Sequence, residues 1–209
     1  MSIKNEKPDI HAVIFDLGNV LIDFRWEDFI RDRGCTGELA LRVAKASVKS
    51  PVWQELDRGA WTKDELLEGF ISNDPEIEQT IRHVFSDVTG ILKERPQSIP
   101  WIRSLKKAGY KVFYLSNFSS FAYDTHLWIQ TLLDEMDGGI LSYREKLIKP
   151  DPVIYRLLLD RYALNPEECV FFDDTAANIE AAKNCGIHGI VYTDRAQADA
   201  ALLALSVIY

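Results

Sequence analysis

The sequence is poor in cysteine. Its three, Cys35, Cys169 and Cys185, are widely spaced. With no CxxC pair and no Cys/His ligand spacing, they support neither a disulfide framework nor a structural zinc site. Cys169 opens an apolar run and Cys185 precedes Gly186 at an expected helix end, so both read as packing residues. An excess of basic residues is also missing: 24 Lys and Arg stand against 32 Asp and Glu, a formal charge of −8. That balance argues against a nucleic-acid partner, since no surplus of cations exists to displace condensed counterions. No apolar run is long enough to span a bilayer. The opening MSIKNEKPDIHAVIFD mixes charges around one short apolar run broken by Asp16, unlike a signal peptide. The expected address is the cytoplasm, with no membrane partner. The four histidines, His11, His83, His126 and His188, show no ligand spacing, and there is no internal repeat or low-complexity tract.

What remains is an ordinary globular composition, 47% apolar and 27% charged over 209 residues. This is enough chain for one domain, or one domain carrying an insert. Short runs rich in β-branched and aromatic residues predict buried strands at Ala12–Phe15, Val112–Leu115, Val170–Phe172 and Gly189–Tyr192, with a weaker one at Gly139–Leu141. Asp151-Pro152 and Asn165-Pro166 predict capped helix starts, and Thr62 with Glu65 predicts a capping box opening a helix over Lys63–Ile71. Gly109 and Gly186 predict helix C-termini. Strands alternating with helices predict an α/β fold, a Rossmann-like parallel sheet flanked by helices. From about Asp23 to Arg95 the periodicity is helical and no strand is expected. The expected organisation is a core of residues 1–22 and 96–209 interrupted by an α-helical cap of residues 23–95.

In open α/β sheets, ligands bind beyond the carboxyl ends of the strands. There this sequence places Asp16 (VIFD), Ser116 and Asn117 (YLSN), and the pair Asp173-Asp174 (VFFDD), while Lys149 precedes a new helix in KLIKPDP. A carboxylate can attack phosphorus, forming an acyl phosphate. A magnesium ion on hard oxygens such as Asp16 and Asp174 can neutralise a phosphoryl group. Ser116 and Asn117 can donate to its oxygens, and Lys149 can offset the remaining charge. Two adjacent carboxylates at a half-buried strand end would repel each other unless a cation is near.

Four motifs in order, FDLGNV around Asp16, LSN around Ser116, Lys149-Pro150, and FFDDTAAN around Asp173 and Asp174, resemble the haloacid dehalogenase-like hydrolase superfamily. The resemblance covers nearly the whole chain, with the helical insert placed like that family's cap. FDLGNVL and FFDDTAANIEAA look most like a branch containing an α-glucose-1-phosphate phosphatase. The resemblance implies Asp16 as nucleophile, with magnesium held by Asp16, Asp174 and the Gly18 carbonyl. It also implies phosphate contacts from Ser116, Asn117 and Lys149, with Asp173 or Asn178 supporting the metal shell. The implied activity is a magnesium-dependent phosphatase acting on a small phosphorylated metabolite, a sugar phosphate among the candidates.

One position departs from that pattern. The usual phosphatase carries a second aspartate two residues after the nucleophile, to protonate the leaving group and later activate water; here that residue is Gly18. Losing a general acid/base typically slows a reaction by roughly 10²–10⁴. Gly18 therefore keeps open a catalytically weak, regulatory protein that binds a phosphorylated ligand or a protein partner. Carbon–halogen hydrolysis by the same aspartate needs no metal, and the acidic pair argues against it. Asp23, at the entrance to the insert, is a weak substitute, since a linker carboxylate is more often merely solvated. Within the insert, Trp53 is expected in the core. Trp26, Trp61, Asp57 and Arg58 carry no assigned role, and LDRGAWT around Gly59 reads as a substrate-facing loop.

Overall fold

The computed structural model describes residues 8–209; the opening MSIKNEK of the stretch read for a leader lies outside the described residues. The first strands are β1 (Ala12–Phe15) and β2 (Ile22–Phe24). Helices α1 (Trp26–Asp32), α2 (Gly37–Ala46), α3 (Pro51–Arg58), α4 (Lys63–Asn73) and α5 (Glu78–Val84) follow, then β3 (Leu92–Glu94). Next come α6 (Ser98–Lys107), β4 (Lys111–Ser116), α7 (Ser120–Thr125), α8 (Trp128–Asp134), β5 (Gly138–Leu141) and α9 (Ser142–Glu145). The chain ends with α10 (Pro152–Arg161), β6 (Cys169–Asp173), α11 (Ala176–Asn184), β7 (His188–Val191) and α12 (Arg195–Ala204). No described helix is long and apolar enough to cross a membrane.

The main sheet runs β5-β4-β1-β6-β7, all parallel. Between their ends its central strands are apolar, because both faces are covered. Alternate residues serve opposite layers. Val13, Phe15, Val112 and Phe172 pack with Trp101 of α6, Ile129 of α8 and Leu202 of α12. Ala12, Ile14, Phe113 and Phe171 pack with Tyr155 of α10 and Ile179 of α11. β1 is the switch point, since β4 lies on one side of it and β6 on the other. A ligand-binding crevice is expected beyond its end.

The expected starts hold locally. Thr62 and Glu65 form the reciprocal capping box of α4, and Asp151 accepts from the Val153 N–H at the start of α10. Gly109 and Gly186 adopt the left-handed conformation expected after helices, at φ 98° and 87°. Two expectations need correction. Asn165-Pro166 opens only a 3₁₀ turn, because Cys169 is already committed to β6. And the stretch from Asp23 to Arg95 is not free of strand: β2 and β3 pair antiparallel, Ile22 with Glu94 and Phe24 with Leu92. This ribbon ties the two ends of the helical insert. Arg95 closes it, pairing with Asp23 at 2.6 Å and donating to the carbonyls of Asn19 (2.8 Å) and Val20 (2.9 Å).

The segment between β2 and β3 contacts α9 through α3 and the turn that follows it. Gly59, left-handed at φ 64°, ends α3. A Cβ there would lie 2.8 Å from the Tyr143 carbonyl of α9, so the turn presses directly on the core. The Ser142 hydroxyl donates to the Asp57 carbonyl at 2.5 Å, and Lys146 donates to the Gly59 carbonyl. Ser142 is itself fixed to the loop after β4, accepting the Phe118 N–H at 2.8 Å.

Candidate active site

Parallel register delivers the chemistry to one place. Phe15 pairs with Tyr114 and with Phe172, so the next residues out, Asp16, Leu115 and Asp173, lie level at the end of the sheet. Asp16 is fixed by its N–H donating to the Phe172 carbonyl at 2.8 Å. One of its carboxylate oxygens accepts the Leu17 N–H at 2.7 Å and the Lys149 ammonium at 2.9 Å. Ser116, buried beside it, favours its ionised form. Burial pushes the Asp16 carboxyl up to about 6, with Lys149 opposing and Asp173 adding to the rise.

Lys149 bridges the site. Only 2% exposed, it also reaches Asp173 at 2.6 Å. Burial opposes its charge, but Asp16 and Asp173 outweigh that and hold the ammonium above its ordinary range. The acidic pair, meanwhile, splits. Asp173, fully buried, accepts from Lys149, from the Thr175 N–H at 2.8 Å and from the Asn178 amide at 3.0 Å. Asp174 turns outward and accepts from the Asn19 amide at 2.9 Å. The repulsion between neighbouring carboxylates is thus relieved on one side by a lysine and by divergence, while oxygens of Asp16, Asp173 and Asp174 still lie within 4.8 Å of one another. This is a cluster of hard oxygen donors around a carboxylate whose ionisation burial disfavours, and it suits a small divalent cation such as magnesium.

The residues singled out from sequence divide by what they touch. Asp16, Gly18, Ser116, Asn117 and Asp174 line one cavity of about 230 Å³; Asp173, Lys149 and Asn178 stand behind it. Asn117 uses its side-chain amide elsewhere: it accepts the Lys149 N–H at 2.7 Å and donates to the Lys149 carbonyl at 3.0 Å. Its side chain therefore clamps the lysine's backbone. Asn178 holds Asp173 rather than facing the cavity.

The cavity's other walls come from the ribbon, the insert and α7: Phe24, Trp53, Leu56, Ile91, Leu92 and Phe121. Trp53 packs as expected, stacking on Phe70 (centroids 6.1 Å apart), and it also lines the cavity. Trp61 and Arg58 do not line it; Trp61 is exposed and Arg58 pairs with Glu55. Trp26 packs at the insert's edge under Lys49. Asp23 is spent on Arg95.

Four polar residues in the wall had no sequence assignment: Ser119, Thr175, Asn19 and Asp57. Asn19, left-handed at φ 57°, connects Asp174 to the ribbon by accepting the Phe24 N–H at 3.3 Å; the Gly18-Asn19 turn was the signal that could have found it. Asp57, near the end of α3, faces the cavity half-buried. Burial pushes its carboxyl up to about 7, with the charge of Asp16 adding and Lys149 opposing.

A family model for haloacid dehalogenase-like hydrolases matches residues 10–186. Among curated proteins, the sesquiterpene phosphatase astK of Aspergillus oryzae is 26% identical over 183 residues, 88% of this chain and 90% of that protein. A phosphorylated carbohydrates phosphatase of Thermotoga maritima is 28% identical over 88% of this chain and 87% of its own length. In other relatives the chain spans as little as 17% of the length. Among solved structures, a haloacid dehalogenase-like family enzyme of Bacteroides thetaiotaomicron in complex with magnesium and inorganic phosphate superposes with a TM-score of 0.67. It is 21% identical, over 90% of this chain and 95% of that one.

Proposed function

The chain belongs to the haloacid dehalogenase-like hydrolase family, and from that premise we propose that it is a magnesium-dependent phosphatase using Asp16 as nucleophile. In this reading residues 23–95 are a cap over a core of 1–22 and 96–209. The observation that carries it is the buried ammonium of Lys149 held between Asp16 and Asp173, with Asp174 alongside, directly behind the cavity that Asp16 and Asp174 line. Asp16, Asp174 and the Gly18 carbonyl would hold magnesium, which supplies charge neutralisation so that an anionic carboxylate can approach a phosphate.

The chain's own residues do the rest. The Asp16 carboxylate oxygen attacks phosphorus as the bond to the leaving oxygen breaks, giving an alcohol and a phosphorylated Asp16. Water then attacks phosphorus, the acyl phosphate bond breaks, and inorganic phosphate leaves. Lys149 keeps Asp16 oriented and ionised in a buried place that otherwise favours its neutral form. The Ser116 hydroxyl and the backbone around Asn117 face the phosphoryl oxygens, and Asn178 keeps Asp173 aimed at Lys149.

The cavity favours an apolar leaving group. Beyond the floor its walls are Phe24, Trp53, Leu56, Ile91, Leu92 and Phe121. A sugar hydroxyl buried against such a wall without a partner costs about 1–3 kcal/mol. The same surface stabilises hydrocarbon by about 25 cal/mol per Å² buried. The similarity to a sesquiterpene phosphatase supports an apolar ester, and that to a phosphatase of phosphorylated carbohydrates supports the sugar phosphate expected from sequence; the apolar lining supports the first.

The test is phosphate release from prenyl, aryl and sugar monophosphates, with magnesium or with chelator, beside Asp16→Asn. Magnesium-dependent turnover, abolished in the variant and fastest on prenyl or aryl esters, is expected. Turnover that survives Asp16→Asn, or no turnover despite a folded protein, sinks the phosphatase reading, and a preference for sugar phosphates sinks the apolar one.

A further inference from the structure

Gly18 leaves the loop after β1 with no side chain where a leaving-group acid is wanted, and a Cβ built there would meet nothing within 4 Å. The space is open and the function vacant. We propose that Asp57, delivered from the cap, is the catalytic acid and base that the nucleophile's own loop lacks. This inference rests on the phosphatase reading above and adds a residue to it.

Elimination among the nearby carboxylates favours Asp57. Asp23 is bound to Arg95, Asp173 is buried behind Lys149, and Asp174 is turned to Asn19 within the cation-binding cluster. Asp57 lines the same cavity as Asp16, and among the described residues no hydrogen bond or ion pair engages its side chain. A half-buried carboxylate without a protein partner is costly unless something else uses it. Its backbone, by contrast, is firmly placed. The Ser142 hydroxyl holds the Asp57 carbonyl at 2.5 Å, Lys146 holds the Gly59 carbonyl, and Gly59 packs on Tyr143. The side chain is therefore presented to the cavity by a turn fixed to the core at two carbonyls.

The protonation state fits. Asp57 stands in the last turn of α3, where the helix dipole disfavours an added negative charge. The charged groups around it are Asp16 on the cavity wall, Lys149 behind it, Lys146 just after α9, and the Glu55–Arg58 pair on its own helix. Their sum with burial leaves the carboxyl near neutrality in pH, where one group can serve as acid and then as base. In the first half-reaction the Asp57 hydroxyl gives its proton to the ester oxygen as the phosphorus–oxygen bond breaks and the bond to Asp16 forms. In the second, the Asp57 carboxylate takes a proton from water as that water's oxygen bonds to phosphorus and Asp16 is released. Both residues end as they began, and the products are an alcohol and inorganic phosphate.

The experiment is Asp57→Asn assayed on monophosphates graded by leaving group, from an alkyl alcohol to nitrophenol, with magnesium present. A melting curve establishes that the variant is folded. The expected result is graded: kcat/KM falls by about 10²–10⁴ on the alkyl ester and by less than about tenfold on nitrophenyl phosphate. On the latter, the variant should also release a burst of one equivalent of nitrophenol before slow turnover, because hydrolysis of phosphorylated Asp16 has lost its base. An equal loss across all leaving groups, or no loss on any, overturns the assignment. If wild type itself shows no magnesium-dependent turnover, or if Asp16→Asn retains it, the phosphatase reading has failed instead.

Discussion

Replacing Asp57 by Asn should make the resting protein more stable at neutral and alkaline pH, although it removes a native side chain. The carboxyl ionises near 4 in an unfolded chain and is pushed up to about 7 in the fold, first by burial and then by the charge of Asp16. A raised carboxyl contributes stability that is fully present below about pH 4 and is lost as pH rises through 7. Three units at about 1.36 kcal/mol each set a ceiling of about 4 kcal/mol. Asp57 is only half-buried and faces a cavity open to water, so solvent screening reduces this to about 1–2 kcal/mol. For a chain of this size that corresponds to a Tm gain of about 2–8 °C. The assay is thermal unfolding of wild type and Asp57→Asn in chelator, from pH 4.5 to pH 8.5. The gain should be largest above pH 7 and shrink toward zero near pH 4. An equal or lower Tm for the variant at pH 8, or a gain that does not depend on pH, would refute the claim that Asp57 is an unpaired, desolvated carboxylate.

Two further perturbations probe the floor and the docking turn. Lys149→Met leaves Asp16 and the fully buried Asp173 without their shared counter-charge. Breaking a buried pair on one side typically costs about 3–5 kcal/mol, so urea unfolding at pH 7.5 should show a loss of that order together with abolished turnover; a loss under about 1 kcal/mol would contradict the bridging role. Gly59→Ala forces a Cβ to 2.8 Å from the Tyr143 carbonyl in a left-handed conformation. A stability loss of about 1–3 kcal/mol with a fall in kcat/KM is expected, whereas unchanged kinetics would mean that the α3–α9 contact does not position the site.

The legible part of this molecule is the part whose order follows from local sequence. Ala12–Phe15 is β1 as expected, and the other buried strands differ from expectation by no more than one residue at either end, because a run of apolar β-formers between two covered faces has little alternative. Once those strands are parallel, a polar residue just after each of them must lie at one edge, and Asp16, Ser116 and Asp173 do so. The ribbon was illegible for the opposite reason. Three residues of β2 carry no measurable period, and their partner β3 lies on the far side of five helices. The side-chain directions were hidden as well. Asn117 at a strand end reads as a donor to a ligand, and only the fold brings the Lys149 backbone round to occupy its amide.

Asp57 lay further still from what sequence could tell. Its segment, LDRGAWT, had the marks of a turn facing substrate, but the turn's glycine faces Tyr143, and it is the acid two residues earlier that faces the cavity. That orientation depends on Ser142 and Lys146, which belong to another part of the chain and have no pattern linking them to the insert. The physical consequence bears on catalysis. An acid on the nucleophile's own loop would be present whenever the core is folded. An acid on α3 is present only while α3 is docked on α9, so the same contacts that close the apolar cavity over a leaving group also supply its proton. Shutting out water and protonating the leaving oxygen then become one event, and Gly18 is tolerable because the missing carboxylate arrives with the wall.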